Sequence, residues 1–171
     1  MGKRALILMG MGAGAVWALA VIPLARAASR QVQMPLADAL ALGLLPAGIV
    51  LLLMIGRLAQ RRFFDDQTID GDPYQAGSVA EIDQRVLHNS IEQTVLSIAL
   101  WPFIGMALGA GPVLLLGLSF AATRLLFWVG YHVSPSLRAF GFAAGFYPTI
   151  TLLVFALVLG YQEGRFNVVA F

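Results

Sequence analysis

Five hydrophobic runs in this chain of 171 residues are each long enough to cross a membrane, and they constrain its fold more than any other feature. A helix needs about 20 apolar residues to span the hydrocarbon core of a bilayer. The runs cover residues 5–25, 35–55, 86–108, 112–131 and 140–159. Because a backbone inside lipid must satisfy its own polar groups, these runs predict an all-α, multi-pass integral membrane protein.

The first run has two readings. Lys3 and Arg4 precede it, and Ala-Arg-Ala follows at 25–27, which is also the pattern of a cleavable secretory signal. The run is longer than the roughly 7 to 15 residues of a signal core, so we favour a retained transmembrane helix. Gly10 and Gly14 have the spacing of a GxxxG helix contact. We therefore expect an N-terminal transmembrane helix in 1–34 and a four-helix membrane domain in 35–171.

Composition excludes several functions. The chain has no cysteine, which rules out disulfides and thiolate metal sites. Its net charge is only +2 and its basic residues form no continuous stripe, so we expect no nucleic-acid partner. The two histidines, His88 and His132, are dispersed, and we expect no metal site.

The distribution of basic residues predicts the orientation. With five spans, eight basic residues fall on one side: Lys3, Arg4, Arg57, Arg61, Arg62, Arg85, Arg124 and Arg138. Three fall on the other side: Arg26, Arg30 and Arg165. The positive-inside rule therefore puts the arginine-rich side in the cytoplasm, with the protein in an inner (plasma) membrane. The polar segment 56–82 is predicted to be one long cytoplasmic loop.

A polar stripe opens the third helix. Arg85, Asn89 and Glu92 stand at i, i+4 and i+7, which places them on one helix face. A charged side chain at the bilayer centre costs about 2.5 kcal/mol or more, so such residues usually face a bundle interior or a cavity and mark function. The alternative is a structural network in which Arg85 and Glu92 satisfy each other and fix the helix register.

The fourth helix adds a second polar group. Gly and Pro at 109–112 predict a tight turn, so the third and fourth helices form an antiparallel hairpin. Counting outward from that turn brings Tyr131 to the depth of Arg85, with Arg124 deeper and Arg138 beside that layer. Several guanidinium groups, one carboxylate and one amide suit a small zwitterionic peptide. An arginine beside a ligand thiol would also stabilise the reactive thiolate.

In order and spacing, these motifs resemble the membrane-associated proteins in eicosanoid and glutathione metabolism (MAPEG). The motifs are Arg85-x-x-x-Asn89-x-x-Glu92, then Arg124-x-x-Phe127-x-x-Gly130-Tyr131, then Arg138. The resemblance covers about residues 35–161. It implies a four-helix subunit in a homotrimer, with glutathione bound between subunits on the cytoplasmic side. The N-terminal helix is an addition to the usual four.

The resemblance also implies roles for individual residues. Glutathione would be bound by Arg61, Arg85, Asn89, Glu92 and Tyr131. We also expect Arg124, which lies inside an apolar span, to contact the ligand. Arg138 and Arg62 are the catalytic candidates, stabilising the thiolate or the reacting group.

Three hypotheses follow for the function. The first is a glutathione-dependent membrane transferase or peroxidase that acts on lipophilic electrophiles arriving from the lipid. The second is a non-catalytic lipid-binding or scaffold protein, because Phe127 and Gln93 stand where several glutathione-using members carry tyrosine. A transporter or channel subunit ranks last, since the chain lacks the paired broken helices typical of transport sites.

Overall fold

The computed structural model describes residues 2–164, and within them five long helices form one bundle. The helices are α1 (Lys3–Gln31), α2 (Leu36–Phe63), α3 (Val79–Leu108), α4 (Ala110–Val133) and α5 (Pro135–Gln162). All five are long and apolar enough to cross a membrane. The predicted all-α, multi-pass membrane architecture is confirmed. Arg165, part of the charge count, lies outside the described residues.

The helices extend beyond the hydrophobic runs, so the predicted loop at 56–82 was too long. The connection between α2 and α3 is 64–78. At the start of α3, the Ser78 hydroxyl accepts a hydrogen bond from the Glu81 N–H at 3.1 Å, as an N-cap residue does. Hydropathy detects only the lipid-crossing part of a helix, whereas this cap starts α3 in the polar layer outside it.

The turn between α3 and α4 is built on one glycine. Gly109 has φ 94° and ψ 178°, a backbone conformation that favours glycine, and it caps both helices. The predicted antiparallel hairpin is confirmed. A hydrogen bond connects the end of α1 to this turn. The Ser29 hydroxyl donates it to the Leu108 carbonyl oxygen at 2.6 Å.

Small residues bring α4 and α5 into backbone contact. A Cβ atom on Gly130 would collide with the backbone of Arg138, and one on Gly141 would collide with the backbone of Phe127. Glycines of this kind allow membrane helices to approach closely. The approach holds the start of α5 directly beside the end of α4.

The first helix packs more extensively on α5 than on any other helix. Gly10 lies against the backbone of Ser136 and Phe140, and Gly14 lies against Ala143. The GxxxG contact predicted for this helix is therefore confirmed, with α5 as the partner. As a result, the start of α1 lies at the same end of the bundle as the start of α5.

The buried core falls into two apolar clusters. One is centred on Trp101, whose indole N–H donates a hydrogen bond to the Thr149 hydroxyl at 3.1 Å. The other includes Met54, Val86 and Phe127 and lies toward the end of the bundle where α3 and α5 begin. The second cluster packs against the polar residues of the candidate site, since its Phe127 contacts both Arg124 and Tyr131.

Candidate functional site

A buried arginine ties three helices together at the centre of the site. Arg124 on α4 has no exposed surface. Its Nη1 donates a hydrogen bond to Asn89 Oδ1 on α3 at 3.0 Å, and its Nη2 donates to the Gly141 carbonyl on α5 at 2.9 Å. The guanidinium also lies 4.6 Å from the ring centroid of Phe127. Within residues 2–164, no carboxylate lies at ion-pair distance from Arg124.

The amide of Asn89 is oriented by this arginine. Its Oδ1 accepts the hydrogen bond from Arg124, and its Nδ2 donates to Glu92 Oε2 at 3.4 Å. Asn89 lines two neighbouring clefts, so it is the residue that connects them. Arg124 lies behind Asn89 and not in the cleft wall. The structure therefore gives Arg124 a positioning role, and its expected direct contact with a ligand stays a prediction.

One of these clefts, the Arg138 cleft, has a volume of about 380 Å³. It is lined by Ile7, Met11, Asn89, Phe127, Tyr131, Arg138, Ala139 and Phe142. The Arg138 guanidinium lies 4.9 Å from the centroid of the Tyr131 ring, in a cation–π arrangement. Tyr131 in turn meets Phe127 edge to face, with centroids 5.1 Å apart. The stacked residues place a fixed positive charge in a mostly apolar cleft.

The second cleft, the Arg85 cleft, lies on the outward face of α3 and has a volume of about 410 Å³. It is lined by Glu81, Gln84, Arg85, His88, Asn89 and Glu92. The side chains of Arg85 and Glu92 are 62% and 57% exposed. Arg85 pairs with Glu81, while Glu92 lies 3.3 Å from His88 Nε2. Within one chain, Arg85 and Glu92 therefore do not pair with each other as the structural alternative expected, although Glu92 does accept a hydrogen bond from Asn89.

The two arginines at the end of α2 lie elsewhere. Arg61 Nε lies 3.1 Å from Asp83 Oδ2. Arg62 Nη1 donates hydrogen bonds to the carbonyls of Thr68 at 3.2 Å and Asp72 at 3.3 Å, inside the loop that follows α2. Neither arginine lines the Arg138 cleft or the Arg85 cleft. Their expected roles in ligand binding and catalysis stay predictions. Within one chain, the structure brings neither arginine to the two clefts.

Sequence reasoning missed Asp83, which is buried where three helices meet. Besides Arg61, its carboxylate accepts hydrogen bonds from Trp128 Nε1 at 2.7 Å and interacts with His132 Nε2 at 2.9 Å. The available signal was the period of α3, since Asp83 shares a face with the buried Ser90.

The two departures from the motif have different surroundings. Phe127 is buried and lies in the wall of the Arg138 cleft. Gln93 is also buried, but it lines neither of these clefts; together with Ser97 and Thr149 it lines a separate small cavity. Its position is thus separate from the outward stripe on α3.

Comparison with known proteins decides the family. Residues 34–158, most of the chain, match the model of the MAPEG family. The chain belongs to the MAPEG family. The predicted recognition is confirmed, and membership supports a membrane protein of a glutathione-related transferase or peroxidase family in general. No curated protein and no solved structure matches the chain. In this MAPEG protein α1 precedes the matched segment, although its side chains help to line the Arg138 cleft.

Proposed function

We propose that this MAPEG protein binds glutathione beside Asn89 and uses its thiolate to attack lipophilic electrophiles. The observation that carries the proposal is the position of Arg138, which stacks on Tyr131 in a cleft that Asn89 shares with the polar face of α3. A guanidinium held in apolar surroundings stabilises an adjacent thiolate, which is the reactive form of a thiol.

The charges of the two clefts suit glutathione, which carries two carboxylates, one ammonium and one thiol. Arg85 provides a fork for a carboxylate, and Glu92 provides an acceptor for the ammonium. The hydrogen bond from Arg124 to Asn89 Oδ1 fixes the orientation of the Asn89 amide, which lies between Arg85 and Glu92 on α3. The thiol would then point toward Arg138. In the transfer step the sulfur forms a bond to the electrophilic carbon, and the displaced electron pair leaves with the leaving group or takes up a proton.

The exposure of the α3 stripe supports a site completed by a second copy of the chain. Glu92 stands 16 residues before Leu108, the end of α3, or about 24 Å along the helix axis. That is within the roughly 30 Å of the hydrocarbon core, where a charge facing lipid is unfavourable. We therefore propose a homotrimer in which a neighbouring copy covers this face. Arg61 and Arg62 would reach glutathione only from that neighbour.

The apolar side of the Arg138 cleft offers a place for the second substrate. Ile7 and Met11 of α1 face it together with Ala139 and Phe142 of α5. A lipophilic electrophile would enter from the membrane along these side chains, whereas glutathione would enter from the arginine-rich aqueous side. We place that side in the cytoplasm, in line with the distribution of basic residues.

The test compares glutathione binding and thiolate formation in matched variants. The purified protein should gain thermal stability with millimolar glutathione and show the ultraviolet absorbance of a bound thiolate. Arg138→Ala should lose the thiolate and the conjugation of a generic electrophile, whereas Arg138→Lys should keep part of both. Arg57→Ala, an exposed arginine outside both clefts, is the control. The absence of both protection and thiolate signal in the unmodified protein would refute the proposal.

A second candidate function, a non-catalytic lipid-binding or scaffold protein, is favoured by Phe127. That residue leaves the cleft wall without a hydroxyl at this position. In this case Glu92→Gln would weaken the oligomer, and no thiol ligand would bind to the unmodified protein. An intact Glu92→Gln oligomer that has lost glutathione binding would exclude the scaffold role.

A further inference from the structure

A third cleft lies at the opposite end of the bundle from the candidate site, where α1 and α5 end and α3 turns into α4. This cleft, the Arg26 cleft, has a volume of about 320 Å³. It is lined by Ala25, Arg26, Ser29, Arg30, Ala107, Leu108, Pro112, Phe155 and Leu159. The proposed function uses none of these residues.

The charged side chains that line the Arg26 cleft, Arg26 and Arg30, are both positive. Arg26 and Arg30 lie one helical turn apart on α1, and neither forms an ion pair with a carboxylate among residues 2–164. The Arg26 guanidinium lies 4.8 Å from the centroid of the Phe155 ring, which holds it at the cleft. The first turn of α4 also lines the cleft at Pro112, and α4 has no side-chain cap there. Because α1, α3 and α5 also end here, with the negative ends of their dipoles, the positive charge of the cleft comes from the two arginines alone.

The walls of the Arg26 cleft are held in place by contacts between helices. The Ser29 hydroxyl, a hydrogen-bond donor, lies within hydrogen-bond distance of two carbonyl oxygens, that of Ala25 at 2.9 Å and that of Leu108 at 2.6 Å. Gly111 packs against the backbone of Ala28, so that a side chain there would separate α1 from α4. The arginines therefore project from a fixed surface and not from a free helix end.

We propose that the Arg26 cleft binds the phosphate group of an anionic membrane lipid. Two guanidinium groups with no ion-pair partner among the described residues match the charge and the oxygen geometry of a phosphodiester. Apart from Ser29, the remaining walls are apolar, with Ala107, Leu108 and Leu159 beside the arginines. Such walls suit the glycerol and upper acyl chains of a lipid better than a free, fully hydrated anion. A cleft at the end of transmembrane helices is also the depth at which lipid headgroups lie.

Lipid retention in native mass spectrometry tests the proposal. The full-length protein in detergent is titrated with phosphatidylglycerol and, separately, with phosphatidylcholine of the same chain length. We expect preferential retention of phosphatidylglycerol. Each arginine should contribute about fivefold to that preference, the effect of one basic residue near an anionic surface. Arg26→Gln and Arg30→Gln should each reduce it by that factor, and Arg57→Gln, at the other end of the bundle, should leave it unchanged.

Two further arms test the stacking of Arg26 and distinguish a bound lipid from a free anion. Phe155→Leu removes the ring on which Arg26 stacks but keeps both charges, so it should reduce the preference less than Arg26→Gln. Inorganic phosphate, added alone, should compete only weakly. Equal retention of the two lipids by the unmodified protein, or displacement of the bound lipid by low concentrations of phosphate, would overturn the assignment.

Discussion

The packing of Gly145 against Arg124 makes a sharp test of the buried arginine. A Cβ atom at Gly145 would lie 2.7 Å from Arg124 Nη2 and 3.1 Å from Nε, whereas ordinary contact begins at 3.4 Å. In Gly145→Ala the guanidinium must therefore move by about 0.7 Å, the difference between 3.4 and 2.7 Å. The hydrogen bonds of this guanidinium to Asn89 and to the Gly141 carbonyl are both near 3 Å long. A displacement of this size therefore lengthens and weakens at least one of them.

The expected loss of stability follows from three terms. Alanine gains about 1 kcal/mol of helix propensity over glycine. Overpacking a tight contact costs about 1 to 3 kcal/mol, and a lost hydrogen bond between membrane helices costs about 0.6 to 1.7 kcal/mol. The sum for Gly145→Ala is a destabilisation of about 1 to 4 kcal/mol.

The assay is reversible unfolding in mixed micelles, followed by helicity, with Gly48→Ala as the matched control. Gly48 lies inside α2, and a Cβ atom there would meet nothing within 4 Å. The control should therefore keep the gain in helix propensity without the clash. Thermal protection by glutathione should also weaken in Gly145→Ala, since Asn89 loses its fixed orientation, and remain unchanged in Gly48→Ala. Equal stability and equal protection in the two variants would refute the positioning role of Arg124.

Two other perturbations address separate parts of the molecule. Asp83→Asn removes the charge that Arg61 contacts, and we expect a loss of about 1 to 3 kcal/mol of stability for this partly buried pair. Asp66→Asn, in the exposed loop, should have no effect in the same unfolding assay, and equal behaviour of the two variants would contradict a structural role for Asp83. Ile7→Trp fills the apolar side of the Arg138 cleft, so binding of a fluorescent long-chain lipophile should weaken several-fold. Leu8→Trp, whose side chain faces outward with 68% exposure, should not weaken it.

The five helices were predictable from the sequence because hydropathy is a local property of each segment. The helix ends were less predictable. The polar first turns of α3 depend on the N-cap at Ser78, and hydropathy does not detect such a cap. The turn at Gly109 was also predictable, because only a few residue types adopt the required backbone conformation.

The residues of the candidate site were predicted in part. The motif spacing identified Arg85, Asn89 and Glu92 as one face of α3, but it did not show that this face points out of the bundle. Asp83 was missed because its partners come from α2 and α4, and a contact between distant segments leaves no signature in either segment alone. The link between Asn89 and Arg124 likewise depends on the angle between two helices.

The close packing of α1 on α5 has a consequence for the order in which this protein assembles. During synthesis α1 enters the membrane before the other four helices, yet its main partner, α5, emerges after them. Until then the Gly10 and Gly14 face has no backbone to pack against. The Arg138 cleft, which takes Ile7 from α1 and Arg138 from α5, therefore forms only when the first and last helices of the chain have packed together. Contacts between such distant segments form slowly because a long loop must close first.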